Sequence, residues 1–152
     1  MTIEATMFGS EFAVATKLYY GALYNRLTDL DIERYYGLIF YLGTVGKMQT
    51  QQQIANQFKM DKTVLVRVID YLTEKGFVQR VINPNDRRAY FIQLTDLAKE
   101  KLPIIQDAIN DINKIAFKGF TEEQIADFTS QLQIVKSNLF NEPAIDFELN
   151  YK

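Results

Sequence analysis

Between Asp61 and Leu94 the hydrophobic period changes once, and the change falls at Gly76. Before it, "DKTVLVRVIDYLTEK" places Val64, Leu65, Val68, Ile69, Tyr71 and Leu72 on one side of a helix, with Asp61 as N-cap and Gly76 as the residue that ends it. After it, "FVQRVI" is rich in β-branched and aromatic residues, "NPND" is turn chemistry, and "AYFIQL" alternates. In that last run Tyr90, Ile92 and Leu94 share one face, while Phe91 and Gln93 take the other. Upstream, Thr50 and Gln53 have capping-box spacing for a short helix that is expected to bury Ile54, Ala55 and Phe58. Only Lys59 and Met60 separate Phe58 from Asp61, so the two helices form a helix-turn-helix with a hairpin directly behind it.

The flanks read as helices. Residues 8 to 27 carry Phe8, Phe12, Ala15, Tyr19, Ala22, Leu23 and Leu27 as an amphipathic stripe. A second helix is expected from Asp31 as N-cap to Gly43, followed by "GTVGKMQ" as a loop. Thr95 or Asp96 caps a long helix in which Pro103 should produce a kink and not an end, because the stripe resumes at Ile104, Ile105, Ala108, Ile109 and Ile112. A second capping box, Thr121 with Gln124, opens a last helix to about Phe140. In the tail, Ile145, Phe147 and Leu149 are expected to pack on something. The fold class is therefore mainly α with a small β-hairpin wing, in winged helix-turn-helix order.

Composition narrows the chemistry. The chain has no cysteine and no histidine, which removes disulfides, thiol nucleophiles, the commonest general base and the commonest transition-metal ligand. There is no glycine-rich phosphate loop and no nucleophile motif. No enzyme, catalytic residue, metal or cofactor is expected. The longest uncharged apolar stretch, "YYGLIFYLGTVG", is too short for a membrane helix, and the start lacks the pattern of a signal peptide. A soluble cytoplasmic protein with no membrane partner is the expectation.

Charge is distributed unevenly. The chain carries a net −2, yet residues 59–90 hold seven Lys/Arg against four acids, whereas residues 91–152 hold six against ten. A local basic strip of this kind suits phosphates; chance clustering on a solvated face is the alternative. On a wheel of about 100° per residue, Lys62, Thr63, Val66, Arg67, Asp70 and Glu74 fall on the side away from the core. Lys62 and Thr63 lie in the first turn, where free N–H groups and the helix dipole favour a phosphate. Arg67 suits a guanine edge or a phosphate, and Val66 a thymine methyl. Against this, Arg67 could pair within the helix with Asp70 or Glu74, and Val66 could be an isolated surface valine.

The stretch "DKTVLVRVIDYLTEKGFVQRVINPNDRRAYFIQLTDLAKE" resembles the MarR (multiple antibiotic resistance regulator) family of bacterial transcription factors, most closely in "NPNDRRAYFIQLTDLAKE". The resemblance implies a homodimer with residues 1–30 and 95–152 as a helical dimerisation region, and residues 31–94 as the DNA-binding winged helix-turn-helix. It implies double-stranded DNA with a pseudo-palindromic operator as partner, and usually repression released by a small aromatic or anionic effector. Carried over, Lys62, Thr63, Val66 and Arg67 take the recognition-helix positions. Asp86 and Arg88 match an Asp-x-Arg wing pair, in which the aspartate orients an arginine entering the minor groove, with Arg87 a phosphate partner. The family commonly has serine and threonine after "DK"; here the chain reads Thr63, Val64, Leu65, Val66, so a usual hydroxyl contact is apolar.

Tyr20, Tyr24, Tyr36 and Phe40 lie on the helices expected to line an effector pocket, although rings at such positions also serve as core or dimer interface. A winged helix that binds another protein and not DNA is the competing function.

Overall fold

The structure, a computed structural model, describes residues 7–143, with the backbone alone at Arg87. Ile145, Phe147 and Leu149, expected to pack, lie outside the described residues. Six helices and three strands follow in order: α1 (Phe8–Asn25), α2 (Tyr36–Thr44), β1 (Gln49–Thr50), α3 (Gln51–Phe58), α4 (Lys62–Glu74), β2 (Val78–Asn83), β3 (Asp86–Leu94), α5 (Asp96–Ala116) and α6 (Glu122–Leu139). A single 3-10 turn, Thr28–Leu30, precedes α2. By contacts the chain divides into two compact units, Leu23–Asn110 and the remainder at its two ends.

Leu23–Asn110 holds the winged helix-turn-helix. Its core is built from the residues that the helical and strand periods single out: Ile39, Ile54, Leu65, Ile69, Leu72, Val78 and Ile92 are each no more than 2% exposed. Burying a side chain of this size contributes about 1.5–3 kcal/mol. The sheet is antiparallel in the order β1-β3-β2. The Thr50 capping box forms in full, with Gln53 N–H donating to Thr50 Oγ1 at 3.2 Å and Thr50 N–H to Gln53 Oε1 at 2.8 Å. Gly76, at φ +78°, supplies the left-handed residue that turns the end of α4 into β2. Thr95 caps α5 by accepting Ala98 N–H at 3.2 Å, and its own hydroxyl donates to Gly76 O at 2.6 Å. One threonine thus ties the start of α5 to the end of α4. The helix α5 continues through Pro103.

Four local expectations are corrected. Asp31 does not cap α2. It stands at φ 48°, closing the 3-10 turn, and α2 begins at Tyr36. Glu33 is also left-handed, at φ 50°, and between them Ile32 is fully buried. Burial of the isoleucine offsets two unfavourable backbone conformations, each costing about 1–2 kcal/mol. The Asp31 carboxylate instead meets Lys75 Nζ at 2.7 Å. Phe58 is 39% exposed, because α3 ends there and Lys59 turns away at φ 48°; its ring meets Tyr41 edge-on. The loop expected from Gly43 is shorter at both ends: α2 runs to Thr44, and Gln49–Thr50 pairs with Phe91 and Ile92. Two residues carry too little periodicity to be read as a strand. Ile104, placed in the α5 stripe, is 48% exposed.

In the terminal unit, Tyr19 Oη donates to Asn113 Oδ1 at 2.8 Å and joins α1 to α5. Gly119 at φ +91° makes the turn into α6, whose capping box at Thr121 and Gln124 forms as expected. Phe117 packs edgewise on Phe120 and Phe128. No residue of α6 is buried. Phe8 and Phe12 of the α1 stripe are exposed as well.

Candidate nucleic-acid interface

The second helix of the helix-turn-helix starts at a carboxylate. Asp61 Oδ1 accepts the N–H groups of Thr63 at 2.7 Å and Val64 at 3.3 Å, and these two bonds hold the Asp61 carboxyl below the usual carboxylate range. Of the first-turn N–H groups expected to be free for a phosphate, those of Thr63 and Val64 are already taken by an anion on the chain. Attraction for phosphate at this end rests first on the exposed Lys62 ammonium, because the Thr63 hydroxyl is hydrogen-bonded to the same Asp61 carboxylate.

Arg67 lies further along the same face, exposed, and Val66 beside it is half-buried. Among the described residues, neither Lys62 nor Arg67 has an ion-pair partner. Asp70, the intrahelical alternative for Arg67, is bound by Arg80 of β2 instead, with Nη2 and Oδ1 2.7 Å apart. Sequence reasoning counted Arg80 only as one charge of the basic strip. The signal was present, since Arg80 alternates with Val78, a buried residue on the side of β2 that α4 covers.

The hairpin tip departs from regular pairing. From Val78 opposite Leu94 to Ile82 opposite Tyr90 the register is constant; the next pair is Asn83 with Asp86. Arg87, Arg88 and Ala89 therefore have no counterpart on β2, and the strand bulges where both arginines stand. Pro84 and Asn85 form the turn, and Asn83 Oδ1 fixes it by accepting Asn85 N–H at 2.9 Å. Asp86 Oδ1 accepts Arg88 N–H at 3.0 Å and lies 3.7 Å from the guanidinium Nε, while the Arg88 side chain is 96% exposed. The side chain of Arg87 lies outside the described residues.

The four aromatic residues expected around an effector divide. Tyr24 and Tyr36 are in ring contact, with centroids 5.4 Å apart. Tyr36 is buried, donates to Leu27 O at 2.8 Å, and has its phenol pushed up, first by burial and then by Tyr71 and Asp31. Phe40 is half-buried one helical turn beyond it. Tyr20 belongs to the terminal unit, 41% exposed and edge-on to Tyr19. An open cleft of about 280 Å³ lies elsewhere in the winged unit, lined by residues that include Leu42, Lys47, Met48, Ile92 and Lys99 and by none of these four.

Two short helices joined at a tight turn, a second helix with its polar face outward and a hairpin behind it define a winged helix-turn-helix. The MarR family model matches residues 28–89. The curated HTH-type transcriptional regulator BilQ of Clostridioides difficile (strain CD3) is 28% identical over 102 residues, which is 66% of this chain and 69% of that protein. Among solved structures, a MarR protein from Peptoclostridium difficile superposes with a TM-score of 0.81 at 21% identity, covering 93% of this chain and 94% of that one. A MarR family regulator from Listeria monocytogenes complexed with 26mer DNA gives 0.79 at 22% identity, covering 88% and 89%. Over its winged helix-turn-helix the chain is thus similar to MarR transcriptional regulators, in sequence as in fold.

Proposed function

We propose that the chain acts as a homodimeric, sequence-specific DNA-binding repressor whose release is triggered by a small molecule. The observation that carries the DNA reading is the state of its cations. Lys62 and Arg67 stand exposed on α4 without acidic partners among the described residues, and Arg88 projects from a bulged hairpin tip. Lys62 and Arg67, held free of local carboxylates, can neutralise phosphates, as can the exposed Arg88 guanidinium beside Asp86, and the Listeria protein is solved with DNA. Lys62 and Thr63 then serve as backbone contacts, Val66 and Arg67 as base contacts in a major groove, and Arg88 as the minor-groove residue oriented by Asp86, with Arg87 beside it.

A homodimer is supported by the apolar side chains left uncovered on the terminal helices. Val14 and Leu18 of α1, and Phe128, Leu132, Val135 and Leu139 of α6, are all exposed, beyond what scattered surface residues explain. For the effector, the Tyr24–Tyr36 ring pair with Phe40 one turn away supports an aromatic ligand. The competing reading, a protein-interaction winged helix, has no observation in its favour.

The deciding experiment is selection of double-stranded DNA from a random pool by the purified protein. Enrichment of an inverted repeat is expected; a pool without any enriched motif overturns the proposal. Thermal-shift screening with aromatic acids tests the effector, since a ligand of the native state raises its apparent stability.

A further inference from the structure

The α4 face directed away from the core carries two carboxylates as well as its cations. Asp70 lies three residues beyond Arg67, within reach of it along one helix face. A carboxylate there has two harmful effects on DNA binding: it competes with the ligand for the Arg67 guanidinium, and it repels phosphate. In the structure it does neither alone, because Arg80 reaches across from β2 and binds it at 2.7 Å. The Arg80 side chain is only 29% exposed, on the strand face that alternation gives to Val78 and Ile82 as well, whereas Asp70 is 59% exposed. The arginine is thus held by its surroundings, and the aspartate is drawn to it.

We propose that Arg80 is a positioning residue for DNA recognition, which sequesters the Asp70 carboxylate and so keeps Arg67 available to the operator. The inference rests on the DNA-binding reading given above. It makes an asymmetric prediction that a merely structural ion pair does not. Arg80 is needed only because Asp70 is present, so deleting both charges should be harmless where deleting Arg80 alone is not.

The test is a set of affinities for the DNA site selected by the wild type, measured by fluorescence anisotropy on full-length proteins with melting curves as folding controls. Arg80→Gln is expected to weaken binding about tenfold, the size of one lost base contact. Asp70→Asn alone should bind as tightly as wild type or more so, and Asp70→Asn with Arg80→Gln should recover to within about threefold of wild type. Arg80→Lys, which keeps the charge, should restore most of the affinity. In an Arg67→Ala background, Arg80→Gln should cause little further loss. If Arg80→Gln and the double variant lose affinity equally, or if Arg80→Gln still costs tenfold without Arg67, the sequestering role is overturned while DNA binding stands. If the wild type enriches no motif, the DNA reading fails first and the role of Arg80 fails with it.

Discussion

Asp86 holds Arg88 at two points, through the backbone N–H at 3.0 Å and beside the guanidinium Nε at 3.7 Å. The first contact fixes where the arginine leaves the bulged strand, and the second biases its direction without covering it. An exposed pair of this kind contributes little to stability, on the order of 0–1 kcal/mol. Its value lies in orientation. Arg88→Ala should therefore leave the melting temperature nearly unchanged, weaken binding to a selected operator about tenfold or more, and lower the salt slope by about one. Anisotropy titrations over a salt series check this, and a variant that binds like wild type at every salt concentration removes Arg88 from the interface.

Val66 has a different signature. It is half-buried in α4 beside Arg67, with no charge to give a phosphate. Truncation to alanine should change which bases are selected at one position in each half-site more than it changes total affinity, with a discrimination effect of up to about 1–3 kcal/mol. Parallel random-pool selections with wild type and Val66→Ala compare the two motifs; identical motifs would show that Val66 reads no base.

The winged unit was legible because its local signals agree with one another. Asp61, Gly76, the Thr50 capping box and the alternation through Ile92 and Leu94 each specify one conformation, and the packed fold adopts all of them. What was not legible depends on partners distant in sequence. Asp31 has the chemistry of an N-cap, but Lys75 takes its carboxylate and the burial of Ile32 sets its backbone. The Asp70–Arg80 pair needs the sheet register before it can be seen. On the candidate interface, the outward placement of Lys62, Thr63 and Arg67 could be read from a helical wheel. The occupied N–H groups behind them, and the bulge of Arg87 to Ala89, could not.

Tyr36 separates a core role from a ligand-binding one. Its hydroxyl is buried and donates to Leu27 O at 2.8 Å, so Tyr36→Phe leaves that carbonyl short of a donor. A loss of about 1–2 kcal/mol in urea unfolding is expected, with an unchanged m-value. Unchanged stability would mean that the hydroxyl is dispensable to the fold and free to serve an effector.

Stability should fall at both pH extremes for identified reasons. The Asp61 carboxyl is held below its ordinary value by the N–H groups of Thr63 and Val64. It therefore stabilises the fold above the unfolded carboxylate value, and that contribution is lost as pH falls through the lowered one. The Lys75 ammonium is raised, first by its hydrogen bond to Asp31, and the Tyr36 phenol is raised, first by burial. Groups raised in the folded state support it fully below their unfolded values near 10, and the support disappears as pH rises through the raised ones. Melting temperatures of wild type and Asp61→Asn should thus converge at acid pH, and those of wild type and Lys75→Met at strongly alkaline pH. Parallel curves across the whole range would show that neither linkage operates.

Leu132 tests what covers α6. Within one chain the helix buries none of its 18 residues, and Leu132 and Val135 remain 42% and 38% exposed. A helix with a stable fold but no buried face needs a second surface, because apolar burial supplies most helical stability in proteins. If that surface is a second copy of the chain, Leu132→Glu places a charge in an apolar interface on both sides of a symmetry axis, so its cost is counted twice. Sedimentation should then show the wild type near twice the 17.6 kDa chain mass and the variant shifted toward monomer. Operator affinity should fall with the loss of dimer, since two half-sites can no longer be held together. A wild type that sediments as a monomer at micromolar concentration would rule out self-association as the cover for α6.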